Sequence, residues 1–404
     1  MKDNRKRRVL DTNFDYENSS INDSNTKMYN SKNQRFNSYD KKKRYNILRI
    51  IFLISFIFST VYVGFLFINS LFVFRHRLIL IAILILFYIL VLWILSARRK
   101  VILKTLSLLI MLFLTFIEIA FLILYGIAYK EMKDTNRENI VVSREVAKSD
   151  AFNVYFSGLD VVGDISTVSR SDVNIIASLN LNTGKGILTS VPRDSYLPIA
   201  GEGNNELDKL THAGNYGVKS SMDTISNALL IDLSYYAKVN FTSFVDIVDI
   251  IGGIDVYNDQ AFTSRVSGKF YDKGNIYLDG AGALDFVRER YGLADGDLDR
   301  GRNQEKVIKA ILKKSVTPSN ILNMKEILKV VGKSVSTNIP INKLFNIASS
   351  YVFNLGFDIR NQELDGYYEY LPSYAMSGYE LSMYVLYDES IIEVRDNIER
   401  LLSK

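Results

Sequence analysis

The chain has 404 residues, of which 48% are hydrophobic, and a formal net charge of +5 at pH 7. It contains no cysteine, which excludes a disulfide framework and a thiolate metal site. The length allows more than one domain, and most of the apolar excess lies before residue 130. The modest net charge does not indicate nucleic acid, and we expect no nucleic-acid partner.

Residues 1–45 form a polar tail with twelve Lys or Arg and six Asp or Glu. Its densest basic runs are Arg5–Arg8 and Lys41–Arg44. Such a segment cannot bury enough apolar surface to fold, so we expect it to be disordered. It is too long and polar for a signal peptide, and its charge favours a cytoplasmic position beside anionic lipid.

Three apolar runs follow the tail, at Ile50–Phe74, Leu78–Ala97 and Thr105–Tyr129. Each is long enough to cross about 30 Å of hydrocarbon, so we predict three transmembrane helices within residues 46–129. Basic residues before the first run and between the second and third belong on the cytoplasmic side. The short loop Arg75–Arg77 and everything after the third run are therefore expected outside the cell.

Glu118 lies near the middle of the third run. A carboxylate in the bilayer is costly, and its default interpretation is functional. The alternative, which we favour, is one protonated glutamate hydrogen-bonded between helices.

Residues 130–150 are charged and are expected to form an extracellular stalk, and residues 151–404 a folded domain. Hydrophobic periodicity and turn signals predict strands at 151–160, 173–181, 186–194 and 235–241, and helices at 218–231 and 242–251. This alternation predicts an α/β layered sandwich with a mixed sheet. After residue 316 we expect a mostly helical segment.

The stretch Asp285–Gln304 concentrates charge, with four arginines and five carboxylates in twenty residues. The break at Gly292–Gly296 predicts two helices that flank a polar loop. Guanidinium groups match phosphate oxygens, and neighbouring carboxylates hold them in fixed orientations, so the stretch is typical of an oxyanion site. A solvated face with weak ion pairs is the alternative.

Two aspartates and one arginine lie at predicted strand ends. Asp160 closes the first strand, Asp172 opens the second, and Arg193 follows the third. Adjacent strand edges would bring the two carboxylates together, in a pattern that suits Mg²⁺ or Mn²⁺. Arg193 lies at the edge where open α/β sheets usually bind ligands.

Seven separated motifs resemble the LytR-CpsA-Psr family in order and spacing, over about residues 151–316. They are GLD at 158–160, RSD at 170–172, VPRD at 191–194, DKLTHA at 208–213, NFTSFVDIVDIIGGIDV at 240–256, LDGAGALDFVRERY at 278–291 and DLDRGRNQ at 297–304. Three spans before this domain resemble the streptococcal capsule-type members.

The resemblance implies an αβα sandwich with a mixed central β-sheet, outside the membrane of a Gram-positive-type envelope. It implies a Mg²⁺-assisted phosphotransferase, with Mn²⁺ as an alternative ion. The enzyme moves a glycopolymer, capsular polysaccharide or wall teichoic acid, from an undecaprenyl-pyrophosphate carrier to a peptidoglycan hydroxyl. The partners implied are the polyprenyl-pyrophosphate-linked glycopolymer, the peptidoglycan acceptor and the membrane.

The family motifs assign roles by position. Asp160 and Asp172 would hold the metal, and a cationic set would bind and activate the pyrophosphate: Arg193, Lys209, Arg288, Arg290 and Arg300. Asp297 and Gln304 would orient these arginines or contact phosphate, whereas Arg302 and Asp299 fit less firmly. Asp172 or Asp160 could act as a general base, or none is needed. His212 is expected to be a structural hydrogen-bonding residue.

Two other functions remain open on the sequence. One is a regulator or scaffold of wall assembly that binds the lipid-linked precursor without turnover, and the other is a pyrophosphatase that releases polymer to water.

The prenyl chain of the carrier needs an apolar slot. Ordinary core packing is the favoured role, and lining such a slot the less favoured one, for five apolar residues: Phe241, Phe244, Val245, Val248 and Ile251. Only about twenty residues separate the last span from the domain, whereas capsule-type members often carry an accessory domain there, so polymer specificity stays open. The loops 195–207 and 259–277 are candidates for sugar contact.

Overall fold

The computed structural model describes Lys43, residues 46–96 and residues 101–403, without the side chains of Val101 and Asp297. Apart from Lys43, the predicted tail lies outside this range, as do the basic residues 98–100. The chain divides into two units, Met1–Gly64 with Leu84–Ile119 and Phe65–Ile83 with Ala120–Lys404.

Three long apolar helices open the described chain: α1 (Asn46–Ile68), α2 (Phe74–Ser96) and α3 (Val101–Met132). By length and composition all three could cross a membrane, which confirms the predicted number. The prediction of a loop at Arg75–Arg77 is wrong, because these residues lie in the first turn of α2. The connection is instead formed by residues 69–73.

Polar side chains join the three helices inside the first unit. The Ser59 hydroxyl lies 2.7 and 2.9 Å from the two carboxylate oxygens of Glu118 and 2.8 Å from the Tyr88 hydroxyl. Ser55 contacts Tyr88 at 2.9 Å and Thr115 at 2.8 Å. Glu118 is buried and has hydrogen-bond partners, so its contacts match the structural interpretation of this residue.

The second unit is built around a six-stranded sheet in the order β11-β6-β1-β2-β3-β12. Its strands are β1 (Ala151–Leu159), β2 (Ser171–Asn180), β3 (Lys185–Ser190), β6 (Tyr235–Asn240), β11 (Ser336–Thr337) and β12 (Asp358–Glu363). Strand β1 runs parallel to β6 and antiparallel to β2, and β3 runs antiparallel to β2 and parallel to β12. The sheet is therefore mixed, as predicted.

Helices cover both faces of this sheet. Neighbouring strand residues point to opposite faces, so apolar side chains on both faces need to be covered. Tyr155 and Ile176 pack with helices α6 (Val218–Leu229) and α13 (Asp388–Leu402). Val154 and Ile175 pack on the other side with α9 (Asp297–Ser315) and α12 (Ile341–Phe353). The predicted αβα sandwich is confirmed.

A smaller core lies at one side of the sandwich, around Val248, Phe286 and Val307. Its elements are α7 (Phe241–Ile250), β7 (Ile254–Asn258), β8 (Phe262–Thr263), β9 (Phe270–Tyr271), β10 (Gly274–Leu278), α8 (Gly280–Arg288), α10 (Pro318–Leu322) and α11 (Met324–Ser334). This core fixes helix α8 beside α9, which positions the charged stretch between them.

The remaining elements include two small hairpins. Strands β4 (Tyr196–Pro198) and β5 (Leu207–Lys209) pair and lead into the short helix α5 (Leu210–Ala213). Strands β13 (Gly366–Pro372) and β14 (Glu380–Leu386) form the second hairpin. The expectation of a mostly helical segment after residue 316 is therefore wrong, since it omitted four strands, two of which, β11 and β12, form the edges of the central sheet.

Residues 130–150, for which the sequence suggested a stalk, run along the second unit. The Thr135 hydroxyl donates to the carbonyl oxygen of Thr337 at 3.1 Å, and Lys238 forms an ion pair with Glu138. Helix α4 (Arg144–Lys148) carries Val146 against the core of the sheet. The segment is thus attached to the sandwich by hydrogen bonds and apolar packing.

Candidate active site

The site lies at the sheet edge where β1 ends and β2 begins. Asp160 follows the last residue of β1, and Asp172 is the second residue of β2. The backbone N–H of Asp160 donates to the carbonyl oxygen of Arg170 at 3.4 Å. Because the two strands are antiparallel neighbours, both carboxylates emerge at the same rim.

Arg193 reaches this rim from the chain that leaves β3. Its Nη1 atom lies 2.9 Å from Oδ2 of Asp172, and both side chains are about one fifth exposed, at 18% and 22%. The Thr211 hydroxyl donates to Oδ1 of Asp172 at 3.3 Å, and the Thr211 N–H donates to the Arg193 carbonyl at 2.8 Å. The ion pair is therefore held from two directions and still reaches solvent.

The charged stretch supplies two further arginines. Arg288 ends helix α8, and its Nη2 atom lies 4.0 Å from Oδ1 of Asp160. Its guanidinium carbon lies 4.3 Å from the centre of the Phe241 ring, a cation–π contact that orients the group. Arg300, in the first turn of α9, is only 7% exposed.

One cleft collects the groups from these separate elements. Asp172, Arg193, Arg300 and Gln304 all line it. Its wall also includes Ser190, Val191, Pro192, Leu298, Gly301, Glu363 and Leu364. Two guanidiniums, from Arg193 and Arg300, line this cleft beside the carboxylates of Asp172 and Glu363, and guanidinium groups are well suited to binding phosphate oxygens.

Gln304 has a structural contact at this cleft. Its Nε2 atom donates to the Val287 carbonyl at 3.2 Å, so the side chain ties α9 to the last turn of α8. This bond fixes the spacing between Arg288 and Arg300, which lie on the two helices.

The carboxylates of the charged stretch mainly hold its backbone. Glu289 accepts hydrogen bonds from the N–H groups of Arg265, Arg290 and Gly292 at 2.6, 3.0 and 2.8 Å. Burial alone would raise the pKa of Glu289, but these backbone donors lower it below its ordinary value. Asp285 likewise accepts from the hydroxyls of Ser264 at 2.7 Å and Tyr271 at 2.8 Å.

Arg302 is engaged by protein carboxylates. It contacts Glu363 at 2.7 Å, Asp299 at 2.8 Å and Asp295 at 2.9 Å. Its hydrogen bonds with Glu363 and then with Asp295 raise the pKa of the guanidinium above its ordinary value. Arg302 therefore clamps α9 to the end of β12, which agrees with its weaker fit to the family motif.

Arg290 and Lys209 lie around the cleft without lining it. The Arg290 guanidinium stacks on the Tyr291 ring at 4.4 Å. The Lys209 ammonium contacts Oδ1 of Asp194 at 2.8 Å. Asp194 follows Arg193 in the chain, so this contact holds Lys209 near Arg193. Asp297 begins α9, but its side chain lies outside the described residues.

His212 and Asp208 form a buried pair behind the rim. Nδ1 of His212 lies 2.9 Å from Oδ1 of Asp208. The Ser373 hydroxyl also donates to Oδ1 at 2.8 Å, and the Ala375 N–H donates to Oδ2 at 2.7 Å. Burial raises the pKa of Asp208, but the hydrogen bonds, with His212 first, lower it to about 2. These contacts give His212 the structural role expected from the sequence.

Asp160 and Asp172 are suitable ligands for a hard divalent cation. Within the described residues, no three His, Cys, Asp or Glu side chains are grouped as a protein-only metal site would need. Mg²⁺ commonly uses only one or two carboxylates, with water and substrate phosphate as its other ligands. Two carboxylates at one rim, open to solvent, fit this substrate-completed type of site.

Of the apolar residues considered for a prenyl slot, two pack in the smaller core. Val248 is fully buried and Ile251 is 2% exposed, both in the smaller core, and Phe241 lies under Arg288. Phe244 is half-buried against the same core. Core packing, the favoured alternative, is the correct interpretation of Val248 and Ile251, because both side chains are buried in this core.

Sequence reasoning missed three contributors to the site. Thr211 orients Asp172, the Phe241 ring supports Arg288, and Glu363 reaches the cleft from β12. The first two lie inside family motifs and could have been considered from their positions. Nothing in the local sequence around Glu363 indicates a site, because β12 joins the sheet only in the folded chain.

The mixed sheet and its arginine-lined rim define an αβα domain with an anion-binding cleft beside two carboxylates. The model of the LytR_cpsA_psr family matches residues 120–391, and the chain belongs to this family.

Relatives and solved structures agree with this membership. The chain is 35% identical over 220 residues, 54% of this chain and 70% of the relative, to the polyisoprenyl-teichoic acid–peptidoglycan teichoic acid transferase TagU of Bacillus anthracis (strain CDC 684 / NRRL 3495). The crystal structure of protein gbs0355 from Streptococcus agalactiae superposes with a TM-score of 0.56 at 26% identity, covering 65% of this chain and 91% of that one. That of B. subtilis TagV gives 0.54 at 25% identity, covering 63% and 98%.

Proposed function

We propose that this protein is a membrane-anchored transferase that moves a wall glycopolymer from a polyprenyl-pyrophosphate carrier to peptidoglycan. The observation that carries the proposal is the cleft in which Arg193 and Arg300 face Asp172, with Arg288 beside Asp160. The family and the name of the B. anthracis relative support this reaction, with teichoic acid as the favoured polymer. Capsular polysaccharide is the other polymer of suitable chemistry.

The three apolar helices support membrane anchoring, because each could cross a bilayer. We infer that the basic tail is cytoplasmic, since positive charge is retained on that side. The sandwich then lies outside the cell, where a lipid-linked polymer and peptidoglycan meet. We propose undecaprenyl as the polyprenyl chain of this lipid carrier.

Cleavage of a pyrophosphate requires stabilisation of negative charge more than covalent chemistry from the protein. In the proposed reaction an acceptor hydroxyl oxygen bonds to the polymer-bearing phosphorus and releases its proton. The bond from that phosphorus to the bridging oxygen breaks, and polyprenyl phosphate leaves. Arg193 and Arg300 bind the non-bridging oxygens, on which charge develops, and Arg288 is poised beside them.

Asp160 and Asp172 are the residues that would hold Mg²⁺, or Mn²⁺ in its place. A bound divalent cation would neutralise phosphate charge and help to orient the leaving group. The ion pairs of Asp172 with Arg193 and of Asp160 with Arg288 keep these side chains at the rim. The same residues would permit slow transfer of the polymer to water, which is a pyrophosphatase side reaction.

The proposal is tested with the full chain in lipid nanodiscs, a labelled polyprenyl-pyrophosphate-linked polymer and purified peptidoglycan. We expect Arg300→Ala to reduce transfer by about 100-fold or more, because a preorganised donor to the developing charge is lost. Arg144→Ala is the matched control, since Arg144 is exposed on α4, and it should transfer at the wild-type rate.

Two outcomes would contradict the transferase assignment. Wild-type protein that binds the lipid-linked polymer without turnover, with or without Mg²⁺, would favour a regulator or scaffold. Equal transfer rates in Arg300→Ala and Arg144→Ala would show that the cleft takes no part in the reaction.

A further inference from the structure

The segment 361–394 has an unusual composition. Its 34 residues contain seven of the chain's 25 tyrosines and seven Asp or Glu, but no Lys, Arg or His. It includes the whole β13–β14 hairpin. Six of these tyrosines, with Glu369 and Glu380, lie between Gly366 and Leu386, the span of the hairpin.

The hairpin exposes much of this aromatic surface. Tyr370 is 71% exposed, Tyr379 74% and Tyr368 52%. Tyr368 and Tyr370 lie two positions apart on β13, so both point to the same face, about 7 Å apart along the strand. The Tyr368 ring lies 4.9 Å from the buried ring of Tyr384, its cross-strand neighbour. The exposed face is therefore a supported row of rings.

Hydrogen bonds attach the hairpin to the candidate active site. The Tyr384 N–H donates to the carbonyl oxygen of Asp194 at 2.9 Å, one residue after Arg193. The Tyr196 hydroxyl donates to the Pro372 carbonyl at 3.1 Å. Glu363, just before β13, lines the cleft itself. The hairpin is thus attached to the chain segment that carries Arg193.

We propose that the tyrosine face of the β13–β14 hairpin binds the uncharged glycan strand of the peptidoglycan acceptor. This inference rests on the proposed transferase function. Tyrosine rings offer flat apolar faces to the C–H surfaces of sugars, and their hydroxyls form hydrogen bonds with sugar hydroxyls.

Charge selects the acceptor over the donor polymer. The hairpin carries two carboxylates, Glu369 and Glu380, and no basic residue, and this charge repels a polymer of phosphate-linked units and anionic lipid headgroups. A chain of N-acetylhexosamine rings carries no such charge and meets no repulsion. The cationic cleft therefore favours the phosphate groups of the donor, and the acidic hairpin favours the uncharged glycan of the acceptor.

The experiment measures binding without turnover. Full-length protein in nanodiscs is titrated with the β-1,4-linked tetramer of N-acetylglucosamine, and affinity is followed by calorimetry. We expect Tyr368→Ala and Tyr370→Ala each to weaken binding about tenfold, the scale of one lost aromatic contact. Tyr370→Phe keeps the ring and should bind within about threefold of wild type. The control is Tyr257→Ala, since Tyr257 is 53% exposed on β7, and it should bind as wild type does.

Several results would overturn the assignment. These are absence of tetramer binding by the wild type, unchanged affinity in both alanine variants, and tighter binding of a glycerol-phosphate oligomer. Quenching of tyrosine fluorescence by brominated nanodisc lipid that is weaker in Tyr370→Phe than in wild type would assign the face to the membrane instead. Arg193→Ala should retain tetramer binding even though it abolishes transfer, so failure of the transferase proposal and failure of this one give different results.

Discussion

Glu305 is a buried carboxylate on α9, next to Gln304 and one turn beyond Gly301. Its side chain is fully buried, and among the residues that the structure describes neither oxygen has a hydrogen-bond partner. Burial, followed by the nearby charge of Glu363, raises its pKa from 4.5 to about 8. We predict that Glu305→Gln stabilises the protein at neutral and alkaline pH.

The sign and size follow from linkage. Between pH 4.5 and about 8 the unfolded chain releases this proton while the folded chain keeps it, so stability falls as pH rises. At pH 7 the penalty is about 3 kcal/mol, since each pKa unit corresponds to about 1.4 kcal/mol. The glutamine variant lacks the penalty, and its Tm should exceed that of wild type by about 5–10 °C at pH 7.

The assay is thermal unfolding of the full chain in detergent micelles at pH 5 and pH 8, followed by near-ultraviolet circular dichroism. The advantage of Glu305→Gln should be large at pH 8 and nearly absent at pH 5. Glu393→Gln is the control, because Glu393 is exposed on α13. A Glu305→Gln advantage that does not change with pH would refute the reasoning.

Three further predictions concern the surroundings of the cleft. Phe241→Leu removes the ring under Arg288 and should lower transfer about fivefold, whereas Phe241→Tyr should restore it; equal rates in all three proteins would exclude the cation–π contact. Gly301→Ala would place a Cβ atom 2.7 Å from the Ser190 hydroxyl, so we expect a loss of about 1–3 kcal/mol in unfolding experiments. Ser190→Gly in the same chain should recover that loss, and no recovery would show that the clash lies elsewhere. Asp208→Asn should cost about 2 kcal/mol above pH 4, and the difference should vanish as pH falls to 2, where wild-type Asp208 becomes protonated. Identical acid-unfolding curves for Asp208→Asn and wild type would contradict this assignment.

The centre of the fold could be predicted because its signals are local. Strands β1 and β2 are long and largely buried, and their ends carry polar residues. Antiparallel pairing of two such strands brings Asp160 and Asp172 to one rim without any knowledge of the remaining chain. The third strand then delivers Arg193, and the ion pair of Arg193 with Asp172 agrees with that placement.

The C-terminal strands could not be predicted in the same way. Strand β12, Asp358–Glu363, has one aliphatic residue, so no hydrophobic alternation marks it. It forms only because β3 offers a parallel edge. The β13–β14 hairpin exposes most of the residues of β13, and its pairing depends on contacts with Asp194 and Asp208. These interactions connect distant parts of the chain and leave no periodic signal.

Roles within the charged stretch were also beyond sequence reasoning. Arg300 and Arg302 are two residues apart on α9, yet one lines the cleft and the other binds three carboxylates. Their difference depends on Glu363, which lies 61 residues from Arg302. The helical repeat alone does not tell which arginine faces the substrate.

The central claim is that arginines and carboxylates from separate elements act as one phosphotransfer site. A double-mutant cycle on Asp172 and Arg193 tests it most directly, through the rate at which the full chain in nanodiscs transfers a labelled lipid-linked polymer to peptidoglycan. Asp172→Ala and Arg193→Ala should each reduce the rate by about 100-fold or more, and the double variant should be little worse than either, because the two side chains act as a unit. Single variants that retain wild-type rates, or losses that multiply in the double variant, would contradict the account.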